Sequence, residues 1–238
     1  MVERAIVPTR TKAQALILSG RILVDGLAVT KVGASVLKAS TIEIEAGPRY
    51  VSRGGEKLDG ALDDFGIDPV GKICLDVGAS TGGFTDCLLQ RGAVKVFAVD
   101  VGRAQLAQTL RDDPRVINLE ETHILRLDAS LITEAPELAV VDVSFISLKM
   151  VIARVFELIR PGAVAVPMVK PQFEVGPKFL KKGVVRDDAV REKAVDDVEA
   201  AARATGFETL GRTPARIKGP KGNQEFFLHL RRPQNGEL

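Results

Sequence analysis

One short segment constrains the fold of this chain more than any other. Residues 76–83, with the sequence DVGASTGG, stand between an apolar run at 72–75 and a stretch at 84–91 with a helical pattern. A strand that turns sharply into a helix at glycines lets backbone N–H groups approach a ligand, because glycine has no Cβ and tolerates positive φ. The segment predicts a nucleotide-binding turn, and a tight corner kept only for packing is the alternative.

The residues around this turn narrow the choice of nucleotide. The next apolar strand ends in Asp100, where a carboxylate can accept hydrogen bonds from both hydroxyls of a ribose. Gly78, Gly82 and Gly83 follow the spacing GxxxGG rather than the GxGxxG of dinucleotide sites. Asp76, two residues before the first glycine, would repel a pyrophosphate but attract a cationic amino-acid group. These features favour S-adenosylmethionine over NAD.

Composition excludes several classes of protein. The 238 residues are 45% hydrophobic and 27% charged, which suffices for one large domain or two unequal ones. No apolar run reaches the roughly 20 residues of a membrane span and no secretory pattern is present, so we expect a cytoplasmic protein. Cys74 and Cys87 lack metal-ligand spacing, and His123 and His229 are far apart. We therefore expect buried, reduced thiols and no metal site.

The first part of the chain has the pattern of a small basic module. Residues 1–42 hold six lysines or arginines and only two acidic residues. A helical pattern at 11–19 precedes strands at 22–24 and 27–30, which an Asp-Gly turn joins as a hairpin, and a strand at 41–45. Such an excess of positive charge suits a phosphate backbone, although a charged run is often only a solvated face.

Within this module the segment TRTKAQALILSGRILVDGLAV resembles the S4 RNA-binding domain of ribosomal proteins, pseudouridine synthases and some tRNA synthetases. Residues 1–47 are therefore expected to form an α+β RNA-binding domain with an abbreviated opening helix. The RNA contacts expected in this domain are Arg10, Lys12, Arg21 and Lys31.

After this module the pattern changes to alternating strands and helices. Residues 48–71 are predicted to form a linker with a helix at 56–65 that carries Lys57, and residues 72–238 to form a second domain. Alternation of this kind predicts a parallel sheet covered on both faces. The last two predicted strands, at 209–217 and 225–231, form a closing antiparallel hairpin that resembles the end of a class I methyltransferase sheet. The predicted fold is thus α/β and Rossmann-like, with the small S4-like α+β domain at its N-terminus.

Four ionisable residues occupy positions where such a sheet binds ligands. Open α/β sheets bind at the carboxyl ends of their strands. Asp142 follows the run ELAVV, and Lys170 follows AVPMV. Glu225 opens the last strand, and Lys57 lies on the helix before the sheet. Each of them taken alone has the alternative of an ordinary surface charge.

The motifs SRGGEKL, VVDVSFISL, MVKPQFE and GPKGNQEFF, in this order around the glycine turn, resemble the TlyA family over essentially the whole chain. The core of that family is similar to FtsJ-like ribose methyltransferases. The resemblance implies a 2′-O-methyltransferase that uses S-adenosylmethionine and acts on cytidines of ribosomal RNA, with Lys57, Asp142, Lys170 and Glu225 as a catalytic tetrad. It also implies a set of cofactor contacts, with Asn118 or Glu120 the weaker candidates for the adenine: Asp76, Gly78, Ala79, Ser80, Thr81, Gly82, Gly83, Asp100, Asn118 and Glu120.

Ribose methylation explains why these residue types are needed. A 2′-hydroxyl is a poor nucleophile that must lie in line with the methyl–sulfonium bond while a base takes its proton. We expect Lys170, in its neutral form, to be that base, with the cation of Lys57 nearby and with Asp142 and Glu225 orienting the two lysines. The RNA contacts expected outside the first domain are Arg53, Lys178, Lys181 and Lys182.

Two other functions stay open at this point. The TlyA family is also named hemolysin, so a membrane-acting cytolysin is one alternative, although no amphipathic stretch supports it. A ribosome-assembly factor that binds RNA without catalysis is the other.

Overall fold

The structure is a computed structural model, and it describes residues 1–234 of the chain. Two compact units are present, Met1–Arg49 and Tyr50–Leu238. No helix in the described part is long and apolar enough to cross a membrane. Over the same residues, no group of three or more His, Cys, Asp or Glu side chains is arranged to hold a metal ion. Cys74 and Cys87 are buried free thiols.

The first unit combines a helix with a small antiparallel sheet. Helix α1 (Arg10–Leu18) precedes the sheet along the chain. Asp25 and Gly26 both have positive φ, as the two-residue turn of a hairpin requires. The three strands pair in the order β2-β1-β3 and are β1 (Ile22–Val24), β2 (Leu27–Ala28) and β3 (Ile42–Ile44).

The second unit is built on a sheet with helices on both faces. Its helices are α2 (Arg53–Phe65), α3 (Gly83–Gln90), α4 (Gln108–Arg111), α5 (Leu148–Leu158), α6 (Pro171–Glu174) and α7 (Asp188–Thr205). Its strands are β4 (Ile73–Val77), β5 (Lys95–Val99), β6 (Val116–Leu119), β7 (Leu138–Val141), β8 (Val164–Val169), β9 (Leu180–Lys181), β10 (Val184–Val185), β11 (Glu208–Pro214) and β12 (Phe226–Arg231).

Seven of these strands form one sheet across the described residues, in the order β11-β12-β8-β7-β4-β5-β6. The five strands from β4 to β8 pair in parallel, whereas β12 is antiparallel to both β8 and β11. Strands β9 and β10 form a separate hairpin. The predicted parallel sheet with an antiparallel closing hairpin is therefore present. Its parallel strands place their carboxyl ends at one edge, where ligands of such sheets bind.

Side chains of the central strands alternate between two cores. Leu75 and Val77 of β4 pack on the side of α5 and α7, whereas Cys74 packs on the side of α2 and α3. Because successive side chains of a strand point to opposite faces, Asp76 faces the same side as Cys74. Strands buried on both faces need apolar residues at nearly every position, which is why their sequences are continuous apolar runs.

Helix α2 begins at Arg53, three residues before the predicted start. The Ser52 hydroxyl oxygen accepts a hydrogen bond from the Gly54 N–H at 3.3 Å and caps the helix. Gly55 packs against Tyr50 so closely that a Cβ would lie 2.3 Å from the ring. Because α2 packs on α3, this helix is part of the core of the second unit.

Candidate active site

Two neighbouring cavities open at the carboxyl ends of β4, β7 and β8. The first, here called the tetrad cavity, has a volume of about 610 Å³ and includes Lys57 in its wall. The second, the Asp100 cavity, has about 590 Å³ and includes Asp100. The residues common to both walls are Gly78, Ser80, Asp142, Ser144 and Phe145. A group bound in one cavity would therefore lie beside a group bound in the other.

All four predicted catalytic residues line the tetrad cavity. They form two pairs of opposite charge, and Lys57 Nζ lies 2.6 Å from Glu225 Oε2 with both side chains buried. Lys170 Nζ lies 2.5 Å from Asp142 Oδ1 and donates a hydrogen bond to Ser144 Oγ at 2.9 Å. The structure thus brings together residues that are up to 168 positions apart in the chain.

Burial dominates the electrostatics of this cavity. It raises the pKa of Asp142 above the ordinary value, against the opposing effects of Lys170 and then Lys57. The sign follows because a low-dielectric setting disfavours a charged carboxylate.

The glycine turn is shaped by its contact with strand β7. Gly78 has φ +86°, and a Cβ on it would lie 2.4 Å from the carbonyl oxygen of Asp142. Only glycine allows this approach. The Ser80 N–H donates to Asp100 Oδ2 at 2.8 Å, and the Gly102 N–H donates to Asp100 Oδ1 at 2.7 Å. Each carboxylate oxygen keeps a further acceptor site, so Asp100 can still bind a ribose.

The remaining residues of the glycine turn either line the tetrad cavity or support the backbone of the turn. Ala79, Thr81 and Gly83 line the tetrad cavity. Gly82, with φ +95°, packs against Leu110, which a Cβ would approach to 2.2 Å. Gly82 is therefore needed for the backbone conformation rather than for a wall of either cavity.

Asp76 lies beneath the turn rather than on a cavity wall. It is fully buried on the α3 side of β4, where the Thr85 hydroxyl donates to Asp76 Oδ2 at 2.7 Å. Its other oxygen, Oδ1, has no hydrogen-bond partner in the described residues. Burial raises the pKa of Asp76 to about 7. Asp76 therefore reaches the wall of neither cavity, because the alternation of β4 turns its side chain toward α3.

Asn118 and Glu120, the candidates for the adenine, lie outside the walls of both cavities. Glu120 Oε1 accepts hydrogen bonds from the N–H groups of Gln105 and Leu106 at 2.6 and 3.0 Å, and Asn118 donates to Glu120 Oε2 at 3.1 Å. The bond from Leu106, first among several, lowers the pKa of Glu120 to about 2. The carboxylate therefore supports the 105–106 backbone.

Sequence reasoning missed several wall residues. Thr122 and His123 line the Asp100 cavity just beyond the end of β6. Because open α/β sheets bind ligands at the carboxyl ends of their strands, the residues that follow β6 were also candidates. Ser144 and Gln172 line the tetrad cavity, each two residues after a predicted catalytic residue. Gln172 Nε2 donates to Glu225 Oε1 at 3.3 Å. The position of Ser144 and Gln172, two residues after Asp142 and Lys170, was the sequence signal that could have identified them.

The predicted RNA-binding cations of the second unit are dispersed. Arg53 lines the tetrad cavity and donates to the carbonyl oxygen of Lys218 at 2.7 Å. Lys178, Lys181 and Lys182 are exposed but lie outside the cavity wall, whereas Lys221, which is also exposed, is part of it. The structure therefore brings only one of the four predicted cations, Arg53, to the tetrad cavity.

In the first unit Arg10, Lys12 and Lys31 are exposed. The Arg21 guanidinium instead donates to the carbonyl oxygen of Glu45 at 3.0 and 2.9 Å, so it helps to hold the module together.

A parallel sheet of this strand order, with a glycine turn after one strand, an acidic residue at the end of the next and an antiparallel last strand, defines a class I methyltransferase fold. The model of the FtsJ-like methyltransferase family matches residues 50–232, and the chain belongs to that family. The predicted fold class and the predicted cofactor of the family, S-adenosylmethionine, are confirmed. Solved S-adenosylmethionine-dependent methyltransferases at 14% to 17% identity share the fold.

Three relatives cover nearly the whole chain. Hemolysin A of Brachyspira hyodysenteriae is 42% identical over 93% of this chain and 93% of its own. The 16S/23S rRNA (cytidine-2′-O)-methyltransferase TlyA of Mycobacterium tuberculosis is 43% identical over 97% of this chain and 87% of its own. A solved structure from Streptococcus thermophilus that carries a hemolysin name is 38% identical, with a TM-score of 0.77 over 98% of this chain and 87% of that one. The predicted TlyA resemblance is confirmed.

Proposed function

We propose that this protein transfers a methyl group from S-adenosylmethionine to the 2′-hydroxyl of a cytidine in ribosomal RNA. The observation that supports it most is the position of two lysine–carboxylate pairs in a cavity that shares a wall with the glycine turn. The TlyA relative of Mycobacterium tuberculosis has this activity in its name. A ribosomal substrate would place the protein in the cytoplasm.

The Asp100 cavity fits the cofactor. Its wall offers a carboxylate for the ribose hydroxyls at Asp100 and includes the glycine turn at Gly78 and Ser80. Gln105, Thr122 and His123 are among the polar side chains on this wall that could contact the adenine. When bound, S-adenosylmethionine supplies an electrophilic methyl group on a positively charged sulfur.

Lys170 is the proposed base. In its neutral form its Nζ can take the hydroxyl proton, and Asp142 and Ser144 hold the amine in place from two sides. The Lys57–Glu225 pair has its charges already balanced at 2.6 Å, so its proposed role is to orient the ribose.

The RNA would reach this cavity across exposed cations. Arg53 and Lys221 stand on the wall, and Lys178, Lys181 and Lys182 extend the positive surface along the β9–β10 segment. Residues 1–47 are proposed as an S4-like domain whose exposed cations contact the RNA backbone.

Replacing Lys170 with arginine tests the proposal sharply. Arginine keeps the positive charge opposite Asp142 but cannot be deprotonated in a protein, so only the function as a base is lost. Lys193→Arg is the matched control, since Lys193 forms an exposed pair with Asp197 on α7. Ribosomal RNA from cells that carry each variant would be mapped by mass for ribose methylation.

We expect the methyl group to be absent with Lys170→Arg and present with Lys193→Arg, while calorimetry shows the same S-adenosylmethionine affinity for both. Normal methylation by Lys170→Arg would exclude the lysine as base. Ribosomal RNA unchanged by deletion of the protein, together with lysis of erythrocytes by the purified protein, would favour the cytolysin instead. An unmodified RNA without lysis would favour the assembly factor.

A further inference from the structure

Glu174 connects two segments that carry catalytic groups. It lies at the end of α6, the single helical turn that follows Lys170. Glu174 Oε1 accepts a hydrogen bond from the Leu148 N–H at 2.7 Å, and Oε2 accepts one from the Ser147 hydroxyl at 2.8 Å. These two bonds, here called the Glu174 bridge, join the end of β8 to the start of α5 across 26 and 27 positions of the chain.

The segment on the other side of the bridge is the loop of residues 142–147. It begins at the end of β7, where the Asp142 N–H donates to the carbonyl oxygen of Val77 at 2.8 Å. It carries Asp142 and Ser144, the two groups that contact Lys170 Nζ. Phe145 within it has φ +64°, a strained conformation, and is 91% exposed. Its ring centre lies 5.0 Å from that of Phe173 on α6, and Val143 and Ile146 pack partly against the core.

At the far end of this loop Ile146 packs against the core, but the helix that follows has no local side-chain cap. Ser147 is the N-cap residue of α5, but its side chain makes no capping hydrogen bond to the helix. Caps from Ser, Thr, Asp or Asn normally satisfy the first N–H groups of a helix locally. Here the acceptor comes from a distant segment, the one that carries Lys170. The bridge therefore holds the loop at its end while Val77 holds it at its start.

We infer that Glu174 is a positioning residue for methyl transfer: it keeps the 142–147 loop against the α6 turn, so that Lys170 Nζ stays beside Asp142 and Ser144. The reasoning rests on the proposed function of that site. Lys170 and its two partners lie on separate segments, and the distance between those segments depends on what joins them. A displacement of about 1 Å can reduce a catalytic rate about 100-fold.

The test compares Glu174→Ala, Glu174→Gln and Asp187→Ala in the full chain. Asp187 is the matched control because its carboxylate also accepts bonds from first-turn N–H groups of a helix, at 2.9 and 3.3 Å on α7. Its loss should destabilise a helix start by a similar amount without touching the loop. Gln at 174 can still accept from Leu148 and can donate to Ser147, so it should restore most of the function.

Two measurements are needed. Hydrogen exchange followed by mass spectrometry reports directly on residues 143–150 and does not depend on activity. Steady-state kinetics with ribosomal RNA reports kcat and KM. For Glu174→Ala we expect faster exchange in this segment and a kcat about 10- to 100-fold lower, with KM for RNA changed less than about threefold. Asp187→Ala should keep the wild-type exchange and kcat, and Glu174→Gln should lie close to the wild type.

Unchanged exchange at 143–150 in Glu174→Ala would overturn the inference, as would a kcat no lower than that of Asp187→Ala. If the wild-type protein methylates no ribosomal RNA, the proposed function fails on its own. Exchange then decides whether the bridge holds the loop, so the two failures are distinguishable.

Discussion

Replacing Asp76 with asparagine should remove a pH-dependent loss of stability that this residue imposes on the fold. The carboxyl group is fully buried, and its pKa is raised from the ordinary 3.8 to about 7, chiefly by burial. Asparagine keeps a carbonyl oxygen that can accept the bond from the Thr85 hydroxyl, now 2.7 Å long. It has no charge to desolvate.

The magnitude follows from the size of the shift. At pH values between 3.8 and about 7 the folded protein keeps a proton on Asp76 that the unfolded chain has released. The free energy of unfolding therefore falls as the pH rises through this window. At 1.36 kcal/mol per pKa unit, the whole shift corresponds to about 4 kcal/mol. Below the window both states are protonated and this contribution vanishes.

Urea unfolding of the wild type and of Asp76→Asn, from about pH 4 to about pH 8, measures the effect. Tyr50 is the single tyrosine of a chain without tryptophan, and it is buried in the second unit, so its fluorescence follows the unit that contains Asp76. We expect the stability of the variant relative to wild type to grow by up to about 4 kcal/mol toward high pH. Asp112→Asn, at an exposed aspartate, should give a constant difference.

The same pH dependence in wild type and Asp76→Asn would refute this reasoning. It would mean that Asp76 is ionised in the folded protein at little cost, and that an unrecognised donor satisfies its Oδ1 atom.

Three further changes have defined outcomes. Lys57→Met leaves the buried carboxylate of Glu225 without its cation, so the free energy of unfolding measured in urea should fall by about 3–5 kcal/mol. Adding Glu225→Gln to the same chain should largely reverse this loss, and no recovery in the double variant would contradict the reasoning. Gly78→Ala places a Cβ 2.4 Å from the Asp142 carbonyl oxygen at φ +86°, so it should lower the free energy of unfolding by about 1–3 kcal/mol. It should also weaken S-adenosylmethionine binding in calorimetry, and a wild-type affinity would show that the turn can shift. Lys221→Ala should weaken RNA binding and reduce the slope of log affinity against log salt by about 0.7 to 0.9, and an unchanged slope would remove this lysine from the RNA path.

Local sequence patterns predicted the elements and the strand-end residues well. Helix α2, predicted at 56–65, spans Arg53–Phe65, and all four predicted catalytic residues line one cavity. Both observations have the same physical origin, and the catalytic role of the four residues stays a prediction. The helical period and the apolar runs are local properties, and parallel strands necessarily bring their carboxyl ends to one edge.

Contacts between distant segments could not be predicted in this way. Glu174 reads as one more acid in a helical turn, and only the packed structure shows that it accepts bonds from Ser147 and Leu148. Glu120 is a similar case, since its carboxylate accepts hydrogen bonds from the backbone N–H groups of Gln105 and Leu106. The orientation of Asp76, by contrast, was within reach, because strand alternation already assigns it to the side of Cys74.

Two carboxyl groups near the glycine turn have pKa shifts opposite in direction to those of several exposed carboxyl groups. Asp76 and Asp142, at the ends of the adjacent strands β4 and β7, both have a raised pKa. At several exposed carboxyl groups the pKa is instead lowered, as at Asp197 in its pair with Lys193 and at Asp128 by the Ser130 N–H.

A lowered carboxyl pKa means that folding favours the charged form and gains stability at neutral pH, whereas a raised one means that folding opposes it. The cost of burying the carboxyl groups of Asp76 and Asp142 arises beside the same turn, where Gly78 is also held at positive φ against the Asp142 carbonyl. Stability alone would favour apolar residues at these buried strand ends. Asp142, which lines both cavities, is therefore better explained by the chemistry of the site than by the fold.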